Sequence, residues 1–403
     1  MFEIRDGCLL KKGRPFRIKG VNLGGWLNRE GYILGGRNIA EHIIWKNIER
    51  IAGKKTADRF IRIIEENFIT RKDFQIIRSL GFNAVRLPFN SRYFLTSKGS
   101  VDEKAVKKLK KTVDVIGSSR LHVILDMHAA PGSQNSDWHS DSDGRARFWE
   151  SRRRQKQFLD LWKALSETFR HHPWVIGYDL MNEPNNKDHK KIFSALEKAL
   201  LVIRQGGDRK ILFLEGNNWS QEISFLAPFA RLFENVMISV HCYEPVLFAF
   251  NIVCGLTYPG LINGRKWNKM TLKKHYQKHA EFARKNKAAI FVGEFGISSR
   301  CPRCHAELRL IDDVLDIFDD FGWHWTYWTY KSVAGMNYPD GLFQLNQNPF
   351  WLCRLHHIQS WENFASIARQ GKNKDFLELA RTLRTKNFDC NKALMNIVRK
   401  HLG

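Results

Sequence analysis

Short, apolar, β-rich runs recur along the chain, each followed by a polar loop and a stretch whose apolar residues repeat with helical spacing. That alternation marks parallel βα units. Eight such runs can be drawn, at residues 18–22, 84–88, 122–128, 175–183, 211–217, 236–243, 289–294 and 324–330. Interiors such as Val123-Ile124-Leu125 and Ala289-Ile290-Phe291-Val292 are almost continuously apolar, as strands buried on both faces must be. Thr70 is placed to cap a helix through Phe74, Ile77 and Leu80 that stops at Gly81, and a second helix starts near Pro302 and runs through Leu308, Ile311, Leu315 and Phe318 to Gly322. Phe2-Glu3-Ile4-Arg5 followed by Asp6-Gly7 reads as a strand entering a hairpin turn. Eight strands with intervening helices predict an α/β fold, a closed (β/α)8 TIM-type barrel, with an N-terminal β-hairpin.

Beyond about residue 348 the pattern changes to two basic amphipathic stretches, 350–370 and 375–402. The second has apolar positions at Phe376, Leu379 and Leu383 and again at Leu394, Ile397 and Val398. Both are predicted as helices, the second packing on the barrel as a C-terminal helical extension. Residues 1–403 are thus expected to form a single catalytic domain, with the barrel over 13–370 and the extension over 371–403.

The ends of the apolar runs carry the chemistry. In order they are Asn22, Arg86, Asp126 with His128, Asn182 with Glu183, Glu215 with Asn217, His241 with Tyr243, Glu294, and Trp328. In a closed parallel barrel these ends meet at one face, where active sites lie. A single charged residue at a strand end commonly just begins a solvated loop. That reading does not account for so many converging on one mouth.

Composition narrows the setting. The 403-residue length suits one barrel with insertions, and 43% hydrophobic with 26% charged residues is an ordinary globular balance. No apolar run approaches the roughly 18 residues of a membrane span. The net charge of +24, from 65 Lys and Arg against 41 Asp and Glu, implies attraction to anionic surfaces or polymers. With no paired zinc-finger spacing and no RNP-type aromatic motif, a nucleic-acid partner is not expected, whereas weak association with an anionic membrane surface is. The basic run at 145–156, including Arg152-Arg153-Arg154, reads as the solvated face of a helix bordering the entrance. Glu3 and Asp6 interrupt an N-terminus that has no apolar core, so no secretory signal is read there. The seven cysteines are odd in number and scattered, which points to free thiols and a cytoplasmic location. Cys301-Pro302-Arg303-Cys304-His305 resembles half a zinc knuckle but has no second half, so no metal is expected.

Glu183 and Glu294 end the fourth and seventh runs, on opposite sides of the mouth, where their carboxyls can face each other. Cleavage of a glycosidic bond requires such a pair: one protonates the leaving oxygen and the other attacks the anomeric carbon. Arg86 and Tyr243 offer a cation and a donor that would keep one carboxylate ionised, and its charge raises the proton affinity of the other. Glu215 also ends a strand and is read as structural or as part of the rim. Trp138, Trp149 and Trp219 fall in the long loops after the third and fifth strands, either as sugar platforms or as ordinary packing.

The segments that carry a family likeness are Gly20-Val21-Asn22-Leu23-Gly24-Gly25-Trp26-Leu27, Gly81-Phe82-Asn83-Ala84-Val85-Arg86-Leu87-Pro88 and Leu125-Asp126-Met127-His128. They continue with Asp179-Leu180-Met181-Asn182-Glu183-Pro184, His241-Cys242-Tyr243, Gly293-Glu294-Phe295-Gly296 and Trp325-Thr326-Tyr327-Trp328. In order and spacing the chain resembles glycoside hydrolase family 5, retaining enzymes on (β/α)8 barrels, and the likeness spans residues 13–345. The resemblance implies that Glu183 is the acid/base and Glu294 the nucleophile. By the same resemblance Arg86 and Tyr243 hold the nucleophile, and Asn182 binds the sugar 2-hydroxyl. His128 and His241 line the reactive subsite, Trp328 stacks beneath the ring, and Trp26 lies near the site. It implies no metal or organic cofactor. The opening motif is similar to the exo-β-1,3-glucanase branch, which points to a β-glucosyl substrate: a β-glucan, an oligosaccharide or a glucolipid. A catalytically silent carbohydrate-binding protein on a retained barrel is the alternative.

Overall fold

The computed structural model describes residues 2–298, 306–333, 337–344 and 381–403. Eight parallel strands close into a barrel: β1 (Lys19–Asn22), β2 (Ala84–Asn90), β3 (His122–Ala129), β4 (Val175–Asp179), β5 (Ile211–Glu215), β6 (Val236–His241), β7 (Ala289–Phe295) and β8 (His324–Tyr327). Each pairs with its neighbours in chain order, and β8 closes on β1 through Trp325↔Lys19 and Tyr327↔Val21. All eight expected runs are therefore strands, some with shifted ends. The fourth leaves the sheet at Asp179 rather than at Glu183, because beyond it the Asn182 amide turns back to donate to the Met127 carbonyl of β3 at 3.1 Å.

Strand periodicity sorts the side chains into two populations. On β2, Val85, Leu87 and Phe89 belong to the apolar layer shared with the surrounding helices, while Ala84 joins the barrel interior and Arg86 follows it in phase. On β3, Val123, Leu125 and Met127 face the helices, and Ile124 starts the inward row continued by Asp126 and His128. On β6, Met237 is inward, with Ser239 and His241 two and four residues on. The polar strand ends are thus the upper part of an inward-facing column whose lower part is apolar.

The N-terminal hairpin pairs Phe2–Arg5 with Cys8–Lys11 around Asp6 and Gly7, both at positive φ as a two-residue turn requires. Phe2 and Leu9 join Ile18, Ala84, Ile124, Ile176, Ile211, Phe213, Met237, Ala289 and Phe291 in one buried cluster, so the hairpin closes the lower end of the barrel. The mouth at the other end is left to the loops.

Helix Arg71–Ser79 begins as predicted, with Asp73 Oδ2 accepting from the Thr70 backbone N–H (2.6 Å) and hydroxyl (2.7 Å). The helix expected from Pro302 is seen as Ala306–Phe321, and Pro302 lies outside the described residues. The C-terminal stretch corrects its expectation. Among the described residues of 375–402, Arg381 and Lys392–Lys400 are α-helical and residues 382–391 are not; helix Lys392–Lys400 buries Leu394, Met395 and Val398 and packs on helix Ala306–Phe321. Upstream, Asp389–Cys390 is a strand paired with Phe343–Gln344, and Asn391 caps the new helix by accepting from Leu394 N–H, which divides what the apolar spacing suggested was one helix. Residues 350–370, Phe376 and Leu379 lie outside the described residues. Cys8, Cys242, Cys254 and Cys390 carry free thiols, while Cys301, Cys304 and Cys353 are not among the described residues. No helix of the described residues is long and apolar enough to cross a membrane.

Candidate active site

Arg86 is the hub of the mouth and is fully buried. Its Nε donates to Asp179 Oδ2 (2.9 Å) and Nη1 to Glu294 Oε1 (2.9 Å) and Asn22 Oδ1 (3.2 Å). Nη2 donates to Asn182 Oδ1 (2.7 Å) and Glu215 Oε1 (3.0 Å), and Asp126 lies 3.1 Å away. A planar fork with five donors can serve so many acceptors, whereas an ammonium cannot. Burial opposes the charge, but Asp126, Asp179, Glu294 and Glu215 together hold it firmly in place.

Glu294 reaches this network through an irregularity in β7. Val292 pairs with Val240, yet Glu294 pairs with His241, so Gly293 is an extra residue on β7. Without it the alternation that puts Phe291 inside would send Glu294 out towards the helices; the bulge restores it to the interior. The residue there has to be small, because a Cβ on Gly293 would lie 2.9 Å from both His241 Nε2 and Ser239 Oγ. Glu294 Oε2 then accepts from the Tyr243 hydroxyl at 2.8 Å.

Glu183 stands opposite in a left-handed conformation, φ 45°, which costs an L-residue about 1–2 kcal/mol. Its backbone N–H donates to Glu215 Oε2 at 2.6 Å, and its carbonyl accepts from Asn135 Nδ2 at 2.9 Å. Its carboxylate lies between two imidazoles, with His241 Nδ1 2.7 Å from Oε1 and His139 Nε2 3.1 Å from Oε2. His241 also approaches Glu294 Oε2 (3.7 Å) and Glu215 Oε1 (3.2 Å). Glu183, His241 and Glu294 each place an atom within 4.8 Å of the others. Such a trio can ligate a cation, but here the carboxylates already face Arg86, Tyr243 and the two imidazoles.

The charges are shared. Burial draws His241 towards neutrality, yet Glu215, Glu294 and Glu183 more than offset this and raise it well above an ordinary histidine. Burial raises the proton affinity of Glu183, while hydrogen bonds from His139 and His241 hold it well below the usual carboxylate range. Glu294 is shifted upward by burial; His241 and Arg86 resist and the charge of Glu183 adds to the rise. The proton needed by an acid is therefore held by the cluster, which titrates as a unit. Asn135 Nδ2 also lies 2.9 Å from His139 Nε2.

These groups open into a cleft of about 480 Å³. On one arc stand Glu30, Tyr32, His128 and Trp328. Trp328 lies parallel to His128 (5.1 Å, 9°) and donates its indole N–H to the Tyr32 hydroxyl at 2.5 Å. His128 Nδ1 pairs with Asp126 at 2.8 Å; burial opposes its charge, but Asp126 and Glu30 raise it to about 10.

The site thus draws together Glu183, Glu294, Arg86, His128, Asn182, His241, Tyr243 and Trp328. Trp26 is a correction. It does not line the cleft; its indole N–H donates to the Glu65 carbonyl at 2.8 Å and its ring packs on Phe74. The chain turns away from the mouth at Gly25, whose positive φ leaves no room for a Cβ beside Ile33. Trp149 is likewise a packing residue, donating to the Gln134 carbonyl, whereas Trp138 and Trp219 do line the cleft. Glu215 is not at the rim but fully buried beneath Glu183. Glu30, Asn135 and His139 were not found from the sequence, because they sit in loops whose path no periodicity encodes.

A family model described as cellulase, glycosyl hydrolase family 5, matches residues 48–333. The chain belongs to glycosyl hydrolase family 5. A β-xylosidase of Phanerodontia chrysosporium is 28% identical over 336 residues, 80% of this chain and 69% of that protein. Endoglucanase C of Acetivibrio thermocellus is 23% identical over 349 residues, 78% and 91% of the two chains. Glucan 1,3-beta-glucosidase 2 of Schizosaccharomyces pombe is 29% identical over 253 residues, 56% of this chain and 42% of its own length. Endoglucanase Cel5A of Thermotoga maritima superposes with a TM-score of 0.59 at 20% identity, over 90% of this chain and 96% of its own, which shows the shared fold. As a family 5 hydrolase the protein cleaves β-glycosides with retention of configuration, which sets aside the silent-barrel alternative.

Proposed function

We propose that Glu183 is the acid/base and Glu294 the nucleophile of this hydrolase, acting on β-glucosides. The observation that carries this is the approach of the two carboxylates to within 4.8 Å. Inverting enzymes keep their carboxyls about 6.5–9.5 Å apart to admit a water, and this pair is closer than that range allows. A Glu294 oxygen attacks the anomeric carbon while the proton shared among Glu183, His139 and His241 passes through Glu183 to the departing oxygen. The glycosyl ester on Glu294 is then hydrolysed by a water from which Glu183 takes a proton, giving the β-sugar and restoring both groups. Arg86 and Tyr243 stabilise Glu294 as attacking and leaving group. Asn182 Oδ1 is fixed by Arg86, while its Nδ2 is buried without a hydrogen-bond partner and suits the 2-hydroxyl. His128 and His241 flank the sugar and Trp328 lies beneath its ring. The glucosyl preference is supported by the glucanases and glucosidases among the relatives; residues 1–403 are taken as one catalytic unit.

The roles separate under truncation. Glu183→Ala should still form the glycosyl-enzyme from an activated aryl β-glucoside, and azide should accelerate turnover to a β-glycosyl azide. Glu294→Ala should form no intermediate, and azide should give the α-product through a single displacement. Exchange of the two anomers between the variants would reverse the assignment. Aryl β-xylosides run beside the β-glucosides test the sugar. The +24 charge further supports weak adsorption to anionic surfaces. Co-sedimentation with anionic vesicles should fall steeply with salt, and binding no better than to neutral vesicles at low salt would dispose of it.

A further inference from the structure

The two arcs of the cleft differ in chemistry. The arc from β8, β1 and β3 presents Glu30, Tyr32, His128 and Trp328, a set suited to the hydroxyls and face of a sugar. The arc built from the loops after β5 and β6 presents Trp219, Val246, Phe250 and Ile252 beside Asn218, Gln221 and Glu244, so that it alone carries an aliphatic wall. Three of these are exposed apolar side chains, Trp219 at 37%, Val246 at 37% and Ile252 at 47%, and Val253 beside Ile252 is 44% exposed. Contiguous apolar groups left in water, above all where polar groups rim them, mark binding surfaces and ligand grooves. Glu183 is anchored to this second arc, its backbone N–H donating to Glu215 at the end of β5 and its carboxylate meeting His241 of β6, while His139 of the loop after β3 reaches it from the other side. Since an acid must stand on the side of the departing oxygen, this arc receives the leaving group.

The kind of apolar residue matters. Sugar rings are held on flat aromatic faces together with hydrogen-bonding groups, which Trp219 with Asn218 and Glu244 could supply to a polar part of the leaving group. Val246, Ile252 and Val253 are branched aliphatics that offer neither a flat face nor a donor. We infer that the leaving-group side takes a hydrocarbon aglycone, so that the substrate is an amphiphilic β-glycoside with its sugar at Trp328 and its chain along Val246 and Ile252. This rests on Glu183 being the acid.

The test is a series of alkyl β-glucosides from methyl to octyl, each below its micelle-forming concentration, with cellobiose, laminaribiose and an aryl β-glucoside alongside. A methylene fully withdrawn from water is worth about fourfold, so even a half-exposed wall should raise kcat/KM at least about tenfold from butyl to octyl. Val246→Asn combined with Ile252→Asn should flatten that slope. A flat series from an enzyme that cleaves the aryl glucoside, or disaccharides preferred over octyl glucoside, overturns the inference and leaves the catalytic assignment standing. Failure to cleave any aryl β-glycoside brings down the catalytic assignment first, and the inference with it.

Discussion

Glu215→Gln removes one charge and almost no volume at a point where four parts of the site meet. Oε1 accepts from Arg86 (3.0 Å) and lies 3.2 Å from His241 Nε2, while Oε2 accepts from the Glu183 amide (2.6 Å) and the Ser220 hydroxyl (2.7 Å). Glutamine has only one acceptor oxygen, so either Arg86 or the Glu183 amide must face an N–H. Burial penalises the Glu215 charge, but His241, Arg86 and Ser220 carry its carboxyl from 4.5 down to about 2. That difference corresponds to about 3 kcal/mol of stability. Part of it returns when Asp179, whose proton affinity is raised by burial and then by Glu215, becomes free to ionise against Arg86. A net loss of roughly 2–3 kcal/mol at pH 7 is expected. A carboxyl whose folded value lies below its unfolded one stabilises at pH above the unfolded value and ceases to do so as pH falls through the folded one. The deficit should therefore be full at pH 7 and shrink between 4.5 and 2. Catalysis should suffer separately, because Glu183 loses the anchor of its left-handed backbone, and a displacement of about 1 Å costs on the order of 100-fold in kcat. Denaturant melts of wild type and variant at pH 7, 5 and 3.5, with initial rates on an aryl β-glucoside, measure both. A deficit below about 0.5 kcal/mol at pH 7, or one unchanged by pH, together with kcat within about twofold of wild type, would refute the reasoning.

Tyr243→Phe deletes the donor to Glu294 Oε2, so kcat/KM should fall about 10- to 100-fold, and the acid limb of its pH profile should move up as Glu294 becomes harder to ionise; an unmoved limb would contradict this. His139→Ala removes a donor that depresses Glu183, so the alkaline limb of the pH profile should shift to higher pH; an unmoved or lowered limb would exclude the proposed sharing of the proton. Lys331 is fully buried, donating to the Phe68 and Leu383 carbonyls, and burial lowers its pKa to about 7 despite Asp73. The unfolded chain then binds more protons between pH 7 and 10.5, so stability from this group should climb across that range, and the Tm of wild type relative to Lys331→Met should rise from pH 7 to pH 10.

What the sequence by itself determined is set by local periodicity and burial. The eight strands, the Thr70 cap, the Asp6-Gly7 hairpin turn and the inward polar ends all follow from alternation along segments of a few residues, which one chain records directly. Because a parallel barrel must gather the ends of its strands, Arg86, His128, Asn182, Glu183, His241, Tyr243, Glu294 and Trp328 were legible as one mouth before their distances were known. Tertiary structure decided the rest. The bulge at Gly293 that turns Glu294 inward exists only in the pairing of β7 with β6, and only the packing of Ile33 against Gly25 shows why position 25, next to Trp26, has no room for a side chain. Glu215 resembled any carboxylate at a strand end until Arg86, the Glu183 amide and Ser220 closed around it. His139 and Asn135 reach Glu183 because a loop folds back over the mouth, and the helical run predicted at the C-terminus was divided by strand pairing with Phe343–Gln344. Periodicity reports which face of an element is buried; which residues from distant loops meet there is fixed by packing across sequence separations that no local pattern contains.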